Sequence, residues 1–259
     1  MAGLGQRIAR PVINILEEIA SKVPRGMDRA HRQTARRIRR AADRFDESER
    51  RLADRVPTYT VDDEGNVRRL MPNGRDRPVR WWDPPSVRRL LGEDRRTAVK
   101  KEDDEYNLSN TQRERRRVTS EQTDWHRGEL TWATQRARLA ANDRDGNNYA
   151  AYRYEGDDGD FILVGKSYEE NRTHSEHTAG IPFDAARDRL DGWVTGLHSE
   201  RAPCHGRGMR QCDQWVGTFM QRPQEELPVT NSVPYGDTPA QRRLDNKVHK
   251  AYRDWLFGE

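Results

Sequence analysis

Phe161-Ile162-Leu163-Val164-Gly165-Lys166-Ser167, then His174-Ser175-Glu176, then Thr195-Gly196-Leu197-His198-Ser199-Glu200-Arg201-Ala202-Pro203-Cys204, then Cys212: the reading of these residues decides the fold. The first run is a short apolar, β-branched stretch and predicts a strand. The stretch 193–199 predicts another, and residues 212–221 predict a helix. Cys204 and Cys212 are the only cysteines in 259 residues. One imidazole and two thiolates make a three-ligand tetrahedral zinc site whose fourth position is open to water. Glu176 is not needed as a ligand, which leaves it free to move protons. The alternative is a closed structural site, for which His177, His198 and His205 are candidate fourth ligands.

Working outward, the order of elements is a hairpin followed by alternating helices and strands. Residues 148–155 predict a strand, Gly156-Asp157-Asp158-Gly159 a turn, and 161–167 the returning strand. Residues 174–180 predict a short helix interrupted by Pro182, with a further helical turn over 183–190. A strand over 227–233 and a helix over 238–256, opened by Thr238-Pro239, complete the pattern. The fold class is α/β, three-layered, with one mixed sheet over residues 142–259.

The sequence 161–167, His174-Ser175-Glu176 and Ser199-Glu200-Arg201-Ala202-Pro203-Cys204 resembles the cytidine-deaminase-like superfamily. More narrowly it is similar to the nucleic-acid deaminases of bacterial polymorphic toxins, over roughly residues 148–259. The resemblance implies that His174, Cys204 and Cys212 hold Zn2+ and that Glu176 shuttles the proton. It implies that the backbone at Ala202 and Pro203 accepts a hydrogen bond from the departing amine. Ser199 and Glu200 match the motif, either as substrate contacts or as strand-end residues that order the cysteine loop. His205 reads as a loop or substrate-side residue. Trp193, Trp215, Phe219 and Tyr235 are candidates either for stacking an extruded base or for the core. The reaction implied is hydrolytic deamination of cytosine in DNA or RNA by a toxin or effector, with a cognate immunity protein as partner. A deaminase of free nucleosides and a non-catalytic zinc module are the alternatives.

Two departures stand out. The common signature is Pro-Cys-x-x-Cys, whereas seven residues separate Cys204 from Cys212 here. A continuous helix would hold them about 12 Å apart, and two thiolates on one zinc lie no more than about 4.6 Å apart. Residues 205–211 are therefore not helical throughout, and Cys212 opens the helix. Secondly, a strand frequent after the fourth in the superfamily is missing from the sequence downstream of residue 233.

The first half has a different character. Residues 1–91 predict a basic, mainly helical region with helices over 3–21 and 27–55, a two-stranded ribbon over 59–70, a loop over 71–79 and a short helix over 86–91. Residues 92–110 predict a charged linker, and 111–141 a helix in which Arg115-Arg116-Arg117 form a solvated face. Trp81-Trp82 predict a packing or partner patch. Residues 1–147 hold 33 Lys and Arg against 25 Asp and Glu, while 148–259 hold 14 against 18. A basic half of this kind suits nucleic acid, and equally a solvated Arg-rich region. No apolar run is long enough to span a membrane. Pro11 and Glu17-Glu18 interrupt the apolar core that a secretory signal needs, so the expectation is cytoplasmic synthesis, with any export independent of such a signal.

Overall fold

Period-two alternation of apolar residues builds one mixed sheet. The computed structural model describes residues 55–99, 106–109, 111–125, 128–169, 173–205 and 210–258. The chain divides into two compact units, Met1–Arg55 and Val56–Glu259. The helices expected over 3–21 and 27–55 lie outside the described residues. The described elements are β1 (Thr58–Val61), β2 (Val67–Leu70), β3 (Asp76–Pro78), α1 (Pro85–Arg89), β4 (Ser120–Gln122), α2 (Glu129–Ala140), β5 (Tyr149–Glu155), β6 (Phe161–Lys166), α3 (Ser175–Ala185), β7 (Trp193–Arg201), α4 (Cys212–Phe219), β8 (Val229–Val233) and α5 (Pro239–Phe257). The strand order is β3-β2-β1-β6-β5-β7-β8-β4. The pairs β1·β6, β7·β8 and β4·β8 are parallel, and the others are antiparallel.

Successive side chains of a strand point to opposite faces, and the core follows that rule. Tyr152 and Tyr154 of β5, with Phe161 and Leu163 of β6, pack with α3 and α4 through Ala179, Ile181, Trp215 and Phe219. Tyr149 and Ala151, with Ile162 and Val164, pack on the other face against Ala133 and Ala137 of α2. The result is the expected α/β architecture with helices on both faces. Gly165 lets α3 approach β6 closely: a Cβ there would lie 2.7 Å from the Ala179 nitrogen of α3. Thr238 caps α5 in a capping box with Gln241, which holds the exposed start of a long amphipathic helix.

Several expectations are corrected. Helix α3 is not interrupted at Pro182. It runs to Ala185 with every residue from Ser175 to Asp184 buried, so tertiary packing outweighs the missing backbone donor. Residues 71–79 are not all loop, because Asp76–Pro78 pairs with β2. The region 111–141 is not one helix. Its first part is extended and contributes β4, and helix α2 begins only at Glu129. Arg115, Arg116 and Arg117 accordingly form no helix face, and the Arg117 guanidinium pairs with Asp213 at the start of α4. Residues 92–110 are not simply a linker: Thr97 donates from its backbone to the Gly65 carbonyl, and Tyr106 is buried against Phe219. Strand β1 pairs directly with β6 and β2 pairs with β1, so the sheet does not begin at residue 142. The strand missing downstream has a counterpart upstream, since β4 lies parallel to β8 at the edge where such a strand would add.

Arg138 of α2 ties these parts together. Its side chain and that of Glu200 on β7 are both 0% exposed. Arg138 Nε donates to Glu200 Oε1 at 2.9 Å and Nη2 to Oε2 at 2.6 Å. The remaining donors reach the backbone carbonyls of Asp143, Asp145 and Asn147, so all five guanidinium hydrogens have an acceptor. Glu200 also accepts from the Tyr149 backbone and from the Tyr252 hydroxyl of α5. Burial opposes its ionisation, but the Arg138 charge and hydrogen bonds outweigh burial and bring the carboxyl down to about 2.

Two outcomes are expected. A chain beginning at residue 56, which holds the whole of the unit Val56–Glu259, should fold with a cooperative melt. One beginning at 143 should not fold, because it lacks β1, β2, β4 and Arg138. Separately, Arg138→Met should destabilise the fold by about 3–5 kcal/mol, because Glu200 is left charged and buried. A depressed carboxylate stabilises above its unfolded pKa, and that contribution is lost as pH falls toward the folded value. Wild-type stability should therefore drop between about pH 4.5 and pH 2, and Arg138→Met should flatten that drop in urea titrations at stepped pH.

Candidate metal centre and proton-transfer site

The end of β7 and the first turns of α3 and α4 converge on one point. His174 precedes α3 and Cys212 is the first residue of α4. Cys204 follows β7 by three residues. His174 Nδ1 lies 3.0 Å from Cys212 Sγ and 3.6 Å from Cys204 Sγ, and the two sulfurs are 3.3 Å apart. A disulfide would place the sulfurs near 2.05 Å, so both cysteines are free. Among the described residues, these three alone form a group of His, Cys and carboxylate side chains whose ligand atoms meet within 4.8 Å. The separations suit one ion bound by all three, and the N-S-S donor set is that of zinc.

The other histidines do not close the set. His198 faces the opposite side of the sheet, with Thr230 Oγ1 at 2.9 Å and Ser232 Oγ at 3.1 Å. His205 is exposed and pairs with Asp237 at 3.0 Å. His177 Nε2 is 3.9 Å from Cys212 Sγ, its ring stacked on Trp215 at 4.5 Å between centroids. Among the described residues no fourth His, Cys or carboxylate ligand atom joins the three within 4.8 Å.

The backbone prepares the thiolates. The Cys212 N–H donates to Cys204 Sγ at 3.4 Å, and the Asp213 N–H to the Cys204 carbonyl at 3.3 Å. These are free donors of a helix N-terminus, which favours negative charge. Hydrogen bonding from Cys212, aided by His174, brings the Cys204 thiol down to about 4 against the opposing effect of burial. Burial holds the Cys212 thiol up. Gln211, the cap of α4, takes φ 51°, a left-handed conformation uncommon outside glycine and asparagine. Its side-chain oxygen is held by Arg117 Nη2 at 3.1 Å.

Glu176 is 2% exposed and held from both sides. Ser199 Oγ donates to Oε1 at 2.9 Å and Ser175 Oγ to Oε2 at 3.2 Å. Asn148 Nδ2 donates to both hydroxyls at 2.8 Å, which fixes the direction in which each serine gives its proton. Asn148 Oδ1 accepts in turn from the Arg201 N–H at 2.9 Å. Burial pushes the Glu176 carboxyl up, and the facing His174 only partly offsets this.

A cavity of about 140 Å³ opens on these groups, lined among others by Asn148, His174, Glu176, Ala202, Cys204 and Tyr235. Ala202 thus faces the cavity. Ser199 is fully buried and serves Glu176, Pro203 is buried, and exposed His205 lies outside the lining. Tyr235 lines the mouth, whereas Trp215 and Phe219 are buried core, and Trp193, at the opposite end of β7, lines a different cavity. Asn148 and Ser175 escaped the sequence reading. Asn148 stands 26 positions before His174, and nothing in one sequence marks it.

Replacing Cys204 or Cys212 with Ser should remove the metal, measured as about one zinc per chain in the wild type, and lower the melting temperature. Metal binding to a site absent from the unfolded chain is folding energy. Unchanged metal content in both variants would overturn the assignment.

With this geometry in view, residues 145–251 match the family model of the Xanthomonas-like deaminases. No curated protein and no solved structure matches the chain. The matched stretch contains Asn148, His174, Glu176, Cys204 and Cys212, and it is similar to a deaminase domain.

Proposed function

We propose that this chain is a zinc-dependent hydrolytic deaminase that converts cytosine to uracil in DNA or RNA. The observation that carries this is the Glu176 carboxylate, buried and doubly hydrogen-bonded, beside a His-Cys-Cys group on one small cavity. A bound zinc would supply Lewis-acid activation of water. Glu176 takes a proton from the attacking water and delivers it to ring N3. The water oxygen bonds to C4, the C4–amine bond breaks, and Glu176 passes the second proton to the departing nitrogen. Cytosine and water thus give uracil and ammonia. Ser175 and Ser199 keep the carboxylate aimed through both transfers, at no reorganisation cost. The Ala202 backbone at the cavity wall is suited to accept a hydrogen bond from the amine.

The cavity is well below the roughly 300–1,000 Å³ of pockets that enclose whole drug-sized ligands. It suits a lone base, with sugar and phosphate outside, as when a base is extruded from a strand. Half-buried Tyr235 in its lining, with the Arg201 guanidinium over its ring at 5.6 Å, is the aromatic side chain we assign to stacking on that base. The toxin role and a cognate immunity protein over the cavity mouth follow from the resemblance of residues 148–259. The excess of 18 acidic over 14 basic residues in that stretch favours a second reading, a deaminase of free nucleosides.

Glu176→Gln should keep metal and fold while lowering deamination by at least about 10²-fold. Ammonia release, with sequencing of the treated strands, checks this on cytosine oligonucleotides and on free cytidine. Activity on cytidine alone would select the second reading. Loss of metal in Glu176→Gln would make Glu176 a ligand and overturn the mechanism.

A further inference from the structure

Two of the most exposed large apolar side chains among the described residues are neighbours in one patch. Trp81 is 77% and Trp82 60% exposed, their rings edge to face at 5.4 Å. A rigid turn presents them. The Asp83 N–H closes it on the Arg80 carbonyl, and the buried Asp83 carboxylate accepts from the Arg80 N–H, from both Arg77 terminal nitrogens and from the Tyr59 hydroxyl. Pro84 and Pro85 follow directly. The indoles are thus held out to solvent by a satisfied, buried network.

The surroundings are basic. Residues 67–96 contain nine arginines and four carboxylates. Asp83 is buried, and Asp76 is paired with Arg68. Arg80, which directly precedes Trp81, and Arg95 are exposed and border an open groove of about 610 Å³. Arg95 is steadied by its hydrogen bond to the Val79 carbonyl. The one carboxylate lining the groove, Asp62, is occupied by the backbone and side-chain N–H groups of Asn66.

The patch also shares an end and a layer with the catalytic cavity. Strand register runs from Pro78 through Arg68, Thr60, Val164 and Ala151 to His198. Arg80 therefore lies at the sheet end from which Cys204 departs. Val79, Val87 and Leu90 pack in the same core layer as α3 and α4. Five strand spacings of about 4.8 Å put the patch roughly 24 Å from β7.

We propose that Trp81, Trp82, Arg80 and Arg95 form an accessory site for single-stranded nucleic acid, in which bases stack on the indoles and the arginines meet phosphates. Aromatic faces next to a positively charged groove recognise a strand regardless of sequence, by stacking and by charge. Charge complementarity favours this occupant over a protein. The site deepens the nucleic-acid reading and does not depend on the chemistry at Glu176. It would hold a strand while a neighbouring base enters the cavity.

The test uses the full chain and a fluorescent 20-residue oligothymidylate, which offers no cytosine. W81A/W82A should weaken binding by about tenfold or more, equivalent to ~1.4 kcal/mol, while W81F/W82F keeps it. R80A should reduce the salt slope of binding by about 0.7. Wild-type affinity in a folded W81A/W82A protein overturns the site. If that variant does not fold, R80A decides: unchanged affinity and slope overturn it. Deamination fails independently. A chain that deaminates oligonucleotides but binds without the tryptophans loses only this site, and one that binds through them but deaminates no nucleic acid loses only the proposed function.

Discussion

A buried ion pair organises this fold. Arg138 and Glu200 are wholly removed from water, which is costly unless every donor and acceptor is met. Here the guanidinium spends two donors on the carboxylate and three on the carbonyls that lead from α2 into β5. Glu200 uses its remaining capacity on the start of β5 and on α5. One pair therefore joins α2, the loop to the hairpin, β7 and the last helix. Replacing it with apolar side chains of equal volume need not cost stability, whereas removing one partner does. Its structural value is registry: β7 has one position relative to α2, and Cys204 follows from that position.

Strand geometry converts this registry into chemistry. Ser199 and Glu200 are neighbours in sequence, yet the pleat sends them to opposite faces. Glu200 turns to Arg138 and becomes scaffold, and Ser199 turns to Glu176 and becomes part of the site. Neither side chain lines the cavity: Ser199 is engaged by Glu176 and Glu200 by Arg138. Asn148, at the start of β5, sits between the two functions. Its amide orders both serine hydroxyls, and its carbonyl oxygen holds the Arg201 backbone, the last residue of β7. A displacement of β7 that disturbed Arg138–Glu200 would also loosen the hydrogen bonds that aim Glu176.

The second half of the chain was legible because its signals are local. An apolar run and the turn Gly156-Asp157-Asp158-Gly159 marked the hairpin, Thr238-Pro239 marked α5, and two cysteines with a His-x-Glu marked the candidate site. The spacing argument placed Cys212 at a helix start from metal–sulfur lengths alone. What escaped was held by distant partners. Pro182 reads as a helix breaker, and only burial of the whole of α3 keeps it helical. Residues 111–122 look like a charged helix because their arginines carry no visible assignment until Asp213 is beside Arg117. Strand β4 is three residues long and polar, and it exists through β8. Asn148 and Arg138 are ordinary polar residues whose roles depend on a sheet register that no single segment encodes.

The segment before α2 also answers both departures of the cysteine motif and its sheet. A long connection between Cys204 and Cys212 leaves the start of α4 without the short tether that Pro-Cys-x-x-Cys supplies. Arg117 replaces it from outside: it pairs with Asp213 and holds Gln211, while the Val118 N–H donates to the Asp213 carbonyl. A few residues later the same segment becomes β4 and covers the edge of β8, whose unpaired backbone would otherwise be exposed. Upstream residues of the same chain thus hold the first turn of α4 and supply the edge strand beside β8. For this reason the His-Cys-Cys group cannot be separated from the strands that precede it, even though every residue of the motif lies after position 147.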